Sequence, residues 1–406
     1  MQPAGPRSPE AGPSRAGFWL YTAHLWAVFA IAVSNVLLGL TVLVAPWSIP
    51  RRAAAWRPGR ALLQPLALYV LALLASIAAS YEPRRSLGAM SEIFSLATLL
   101  LALFLVRGEG PARRIVNGLI VVSTLFALSG LAQFLWDFGG INHRIRGPFS
   151  HYMTFSGVLL IADLLLGAQI VASPAARKSA WRWAALALLN LALLGSLTRS
   201  AWMGVLVGFT LLVLLRAPKL LLAYLPAAAL FVLLAPVPVL SRALSIAKPS
   251  DRSNYDRLCM VKAGVRMVSE RPLFGLGPDL VKRRYPIYRE PTAPRFTVPH
   301  LHNSLLQLTA ERGLVSLIAY LWLMGAGLWI AWRRFRAEGG PWGGRADLYL
   351  GVLAALVGFN FAGLFENNWG DTEVQRLVLF VLALPLCAQF REEAVAAGET
   401  PEVEAA

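Results

Sequence analysis

What most constrains this chain is an apolar run of about 20 residues that recurs along almost its whole length of 406 residues. As a helix rising about 1.5 Å per residue, such a run covers a hydrocarbon core of about 30 Å. A closed barrel would need stretches of about ten residues with alternating polarity, and none is found. Hydrophobic residues make up 57% of the chain and charged residues 15%, a balance that excludes an ordinary soluble domain. The chain reads as an all-α integral membrane protein.

About twelve transmembrane helices are expected, at 18–33, 34–50, 61–80, 86–106, 114–136, 151–172, 181–197, 200–216, 219–240, 304–332, 347–365 and 374–391. Loop charge orients them. With a cytoplasmic N-terminus, the inside loops hold Arg51, Arg52, Arg57 and Arg60, then Arg107, Arg113 and Arg114, then Arg177, Lys178 and Arg182, then Arg216 and Lys219, then Arg333, Arg334, Arg336 and Arg345. The short outside loops hold only Arg84, Arg85, Arg144, Arg146 and Arg199, which fits the positive-inside rule. Both termini then fall in the cytoplasm. Residues 1–16 read as a disordered basic tail and 392–406 as an acidic one, while the apolar stretch after the first tail is too long for a signal-peptide core. Much of the net charge of +16 sits in the inside loops, so anionic membrane lipid is the expected partner and nucleic acid is not. Cys259 and Cys387 are the only cysteines and lie far apart; neither a disulfide framework nor a cysteine metal site is indicated.

One connection differs in kind. Residues 241–303 form a long, polar and basic loop between a bundle at 17–240 and its continuation at 304–391. Loops beyond about 15 residues are usually functional or disordered. In the segment YDRLCMVKAGVRMVSER, Leu258, Val261, Val265 and Val268 recur at helical spacing, which predicts an amphipathic helix on the membrane or the bundle and a folded cap.

The loop ends in Pro299-His300-Leu301-His302-Asn303-Ser304. Proline cannot supply an interior helical N–H, so the turn falls near it, with Asn303 or Ser304 as N-cap of the next helix. That places His302 at the membrane interface beside the positive end of a helix dipole. Two interfacial histidines that merely bond loop carbonyls are the plain alternative. Arg199 interrupts two apolar runs, and an arginine near a bilayer needs a partner, a headgroup or water. Guanidinium groups grip phosphate through paired hydrogen bonds, so Arg199, the basic loop and the histidines together suit an anionic pyrophosphate at the outer leaflet.

Four segments in order, GPFSHYMTFSGVLLIADLLLG, SLTRSAWMGVLVG, DRLCMVKAGVRMVSERPLFGLGPDLVKRRYP and HLHNSLLQLTAERGLVSLIAYL, resemble the O-antigen ligase and polymerase superfamily over roughly residues 60–391. The resemblance rests most on Pro272-Leu273-Phe274-Gly275-Leu276-Gly277, the downstream Tyr285, and His302-Asn303 followed by Glu311-Arg312-Gly313-Leu314. It implies a glycosyltransferase of the GT-C type in a bacterial inner membrane, with its site facing the periplasm. Such an enzyme moves a glycan from undecaprenyl pyrophosphate to an acceptor sugar, usually on lipid A-core, with inversion and without a metal or other cofactor. By motif, Arg199, Arg257 and His302 are the implied catalytic residues. His300, Asn303, Arg266, Arg283, Arg284 and Tyr285 are the candidate substrate-binding ones. His302 would act as base or orienter, and the arginines would hold the pyrophosphate leaving group.

Other readings stay open on the residues. Glu366, Asp371 and Glu373 crowd one short outer loop; Asp371-Thr372-Glu373 has the acid-x-acid form of a divalent-cation site, or else caps the last helix, or pairs with an arginine. Asp163 inside an apolar run is functional by default or bonds a neighbouring helix. Gly275-Leu276-Gly277 reads as a tight turn, since no strand precedes it as a dinucleotide fold requires. A polymerase shares the donor chemistry. A transporter is the rival from another class, although no internal repeat is found.

Overall fold

The computed structural model describes residues 15–47, 59–137, 144–248 and 251–388. The two expected tails, apart from Arg15 and Ala16, and Arg51, Arg52 and Arg57 lie outside these residues. Among the described residues the chain is helical, with no strand. Its helices of eight residues or more are α1 (Arg15–Trp26), α2 (Ile31–Val44), α3 (Arg60–Ala78), α4 (Ser91–Leu105), α5 (Glu109–Asp137), α6 (Tyr152–Ala172), α7 (Ala180–Gly195), α8 (Arg199–Arg216), α9 (Tyr224–Leu234), α10 (Val237–Leu244), α11 (Arg252–Glu270), α12 (Val281–Tyr288), α13 (Ser304–Ala337), α14 (Ala346–Gly363) and α15 (Thr372–Cys387).

Among the described residues each expected apolar run contains helix, but seven helices are both long and apolar enough to cross a membrane: α3, α4 with the turn before it, α5, α6, α8, α13 and α14. α2, α7 and the 218–234 segment are apolar but shorter. The run expected at 219–240 breaks because Pro236 cannot continue a helix; α9 ends at Leu234 and α10 begins at Val237.

α6 and α14 are apolar on every side and almost wholly enclosed, the signature of helices at the centre of a bundle. α8 crosses α14 at backbone distance: a Cβ on Gly204 would stand 2.6 Å from the Gly358 carbonyl, and one on Gly358 would stand 2.7 Å from that of Gly204. Such small-residue contacts let helices associate in lipid, where no hydrophobic force drives them together. Asp163 in α6 is buried and accepts a hydrogen bond from Asn190 Nδ2 of α7 at 2.9 Å, so this acid ties two helices together.

One end of the bundle carries a cap. Residues 251–303 have their own apolar cluster, built on Met260, Met267, Leu280, Val281, Tyr285 and Leu301. The buried face of α11 is Asp256, Cys259, Met260, Ala263 and Met267; Leu258, Val261 and Val265 of the expected apolar stripe stay exposed instead. α13 is broken at Gly313, with φ +76° and ψ 178°. The cap's turn inserts there: Leu314 N donates to Pro272 O at 2.7 Å, Leu276 N to Ala310 O at 2.9 Å and Gly277 N to Glu311 O at 2.9 Å. Beneath it, Arg312 pairs with Glu92 at 2.6 Å and reaches the Tyr69 hydroxyl. The Glu311-Arg312-Gly313-Leu314 motif therefore joins cap to bundle.

Candidate functional site

Beside the cap lies a cleft of about 360 Å³ lined by Arg199, Met203, Ile246, Lys248, Asn254, Arg257, Leu258, Val261, Leu301, His302, Asn303, Leu364 and Phe365. α8, α11, the residues just before α13 and those just after α14 all contribute to it. The Asn303 side chain caps α13, accepting from Leu306 N at 2.8 Å, while its amide donates to Leu364 O at 2.9 Å. Ser304 Oγ donates to Glu366 O at 2.9 Å. These two bonds hold the start of α13 against the loop after α14.

His302 sits where these elements meet, with φ +50°. A non-glycine residue rarely holds that conformation, and such strain concentrates at functional sites. His302 Nδ1 lies 2.9 and 3.1 Å from the two oxygens of Glu366. A carboxylate only accepts, so Nδ1 carries the proton and Nε2 is the basic nitrogen. Glu366 is buried. Burial pushes its pKa up, but the hydrogen bond from His302, the electrostatic influence of the two imidazoles and the Asn367 N–H together hold it below the usual value. Trp369 fixes this loop, donating from Nε1 to the Tyr69 hydroxyl at 2.8 Å and stacking edge-on with Tyr320.

His300 stands 4.3 Å from His302, ring centre to ring centre. Its Nδ1 accepts from His302 N at 3.3 Å, and its Nε2 is 3.5 Å from Glu366 Oε1. Burial lowers its pKa to about 4, against the opposing charge of Glu366.

The arginines divide. The Arg257 guanidinium is 3.9 Å from Glu366 Oε2. Burial lowers its pKa, opposed by Glu366 and reinforced by Arg144 and Arg295. Arg199 donates to Ser245 O at 3.1 Å, Ser245 Oγ at 2.9 Å and Ser253 Oγ at 3.2 Å, with Asp251 at 3.6 Å; it lines the cleft and also pins the start of the cap to α8. Burial, then the charges of Arg199 and Arg144, push Arg242 down to about 10, and its Nε is buried without a hydrogen-bond partner. Arg144 stacks on Tyr152 at 4.5 Å. Arg199 and Arg257, which line the cleft, and Arg144 and Arg242 near them thus repel one another, a field that an anion relieves.

The remaining expected site residues do not line the cleft. Arg266 pairs with Glu290 at 2.5 Å, and Arg283 with Glu82 at 2.7 Å. Arg284 lies 3.7 Å from Glu82 and over the Tyr81 ring. Tyr285 is in the cap's apolar cluster. Asp371 stands at the N-cap of α15, but its side chain makes no capping bond; it accepts from Thr154 Oγ1 at 3.3 Å. Burial, then the charges of Glu366 and Glu373, raise its pKa to about 7. Glu366, a loop acid in the sequence, is the site's centre. Its one signal was its place in the crowded outer loop, because a separation of 64 positions from His302 hides their contact.

No curated protein matches the chain. Residues 183–321 match the family model described as O-Antigen ligase, a stretch that includes Arg199, Arg257, His300 and His302 and stops short of Glu366. This segment, which builds most of the cleft, is what carries the chain's likeness to the O-antigen ligase family.

Proposed function

We propose that this membrane enzyme is a glycan ligase of the GT-C type with about twelve crossings, set in a bacterial inner membrane with its cleft facing the periplasm. It transfers a glycan from undecaprenyl pyrophosphate to an acceptor sugar, with lipid A-core as the acceptor. The observation that carries this reading is the His302–Glu366 pair beside a cleft lined by Arg199 and Arg257. His302 Nε2 takes the proton of the acceptor hydroxyl as its oxygen attacks the anomeric carbon. The bond from that carbon to the phosphate oxygen breaks, and configuration inverts. Glu366 accepts the Nδ1 hydrogen bond throughout and stabilises the imidazolium that forms. Negative charge grows on the departing pyrophosphate, where Arg257 and Arg199 oppose it with Arg144 and Arg242 behind them. These fixed charges suffice for a metal-independent transfer.

Purified protein supplied with a lipid-linked donor and core acceptor is expected to move glycan onto the core. Chain growth with the core left out would make it a polymerase. Solute uptake by proteoliposomes that survived His302→Ala would make it a transporter.

A further inference from the structure

We propose that His300, His302 and Glu366 form a binding site for a borderline divalent cation, zinc above all, and that its occupation switches transfer off. The inference rests on the reading of His302 as the base. Among the described residues, His300, His302 and Glu366 are the group whose ligand atoms all lie within 4.8 Å of one another. Glu366 Oε1 is 3.1 Å from His302 Nδ1 and 3.5 Å from His300 Nε2. Ligands at about 2.1 Å around tetrahedral zinc stand about 3.4 Å apart, so these edges need little adjustment. Two imidazoles and one carboxylate are a borderline donor set that suits zinc, and three protein ligands leave a fourth position for water. Support from the next layer of residues is in place: Asn367 N donates to Glu366 Oε1 at 3.0 Å, and Arg257 stands by Oε2 at 3.9 Å. Asp371 and Glu373, the acid-x-acid pair of the sequence, are not part of the group.

Inhibition follows from which nitrogens the ion takes. Coordination through Nδ1 moves the proton of the neutral His302 ring to Nε2, with no net change in protons. Nε2 then has no lone pair for an acceptor hydroxyl. On His300, coordination through Nε2 moves the proton to Nδ1, which gives up the 3.3 Å contact from His302 N.

The full-length protein in detergent, titrated with Co²⁺ as a coloured substitute for Zn²⁺, tests the site directly. One equivalent is expected to bind with visible ligand-field bands, and Zn²⁺ to displace it. Cys259 and Cys387 are buried, so thiolate is not expected among the ligands. His300→Ala and His300→Gln, each checked for a single peak on size exclusion, should weaken binding by more than the roughly 10- to 100-fold that losing an outer partner costs. Zn²⁺ should inhibit transfer by the native protein, a chelator should restore it, and each His300 variant should resist Zn²⁺ relative to its own metal-free rate. Absence of binding, binding unaffected by His300, or stimulation by Zn²⁺ overturns the proposal. Cobalt bound through His300 in a protein that transfers no glycan would leave the site standing and remove the ligase reading.

Discussion

Glu366 is the residue on which the site turns. Its carboxylate sets the tautomer of His302, and a neutral amide in its place would leave that ring free to present the wrong nitrogen. Glu366→Gln should lower kcat by about 10² to 10⁴ with little change in KM, the range expected for losing a positioned base. The double variant with His302→Ala should fall no lower than His302→Ala alone, because the two act as one unit; steady-state kinetics of all three decides it. Asp371 offers a separate pH test. Its pKa is raised to about 7 in the fold from about 3.9 in an unfolded chain, so between these values the native protein holds a proton that the unfolded chain has lost. The stability this confers is complete below about pH 4, declines as pH rises, and is gone above about 7. Thermal midpoints in detergent should therefore fall more from pH 5 to 8 in the native protein than in Asp371→Asn. Equal slopes would show that Asp371 does not titrate there.

At the scale of elements, the break in α13 is the feature that holds the cleft's shape. Gly313 has φ +76°, and a Cβ there would lie 2.0 Å from the Leu273 carbonyl oxygen. Both the left-handed backbone and the close approach of the cap's turn require glycine. Gly313→Ala is expected to loosen the cap from the bundle, at a cost of about 1 to 3 kcal/mol or more. Limited proteolysis should then cut within 252–303 at lower trypsin concentrations than the native protein needs, while the transmembrane helices stay protected. The Asn303 cap and the Trp369 wedge act alongside this joint, so that α13 and the loop after α14 present His302 and Glu366 to each other.

For the molecule as a whole, the cleft lies by the end of α14 and the short basic connections after α4 and α8 lie by its start. Arg113 pairs with Asp347, Arg216 stacks on Trp342 and Gly108 N donates to Cys387 O, which gathers the basic connections at the end away from the cap. If the positive-inside rule orients the chain, Lys248→Cys and Arg336→Cys should react with an impermeant maleimide from opposite sides of a sealed membrane. Both native cysteines are buried and should stay silent. Labelling of both positions from the same side would invalidate the proposed orientation.

The sequence alone determined what one chain segment decides for itself. Apolar runs must become helices, because lipid offers no partner for backbone N–H and C=O groups; Pro299 and Asn303 mark the start of α13; and Arg199, Arg257, His302 and Asn303, singled out by motif, line one cleft, with His300 beside His302. Tertiary structure decided the rest. Arg266, Arg283 and Arg284 carry the same charge as Arg257, yet they sit against Glu290 and Glu82, and no local pattern separates an arginine paired elsewhere in the cap from one that lines the cleft. Leu258, Val261 and Val265 repeat at helical spacing, but the neighbouring face of α11 is the buried one, since the choice depends on which surfaces the cap and bundle present. Glu366 meets His302 only when α13 and α14 pack side by side. Contacts between distant segments are made by packing, and periodicity along one segment contains no record of them.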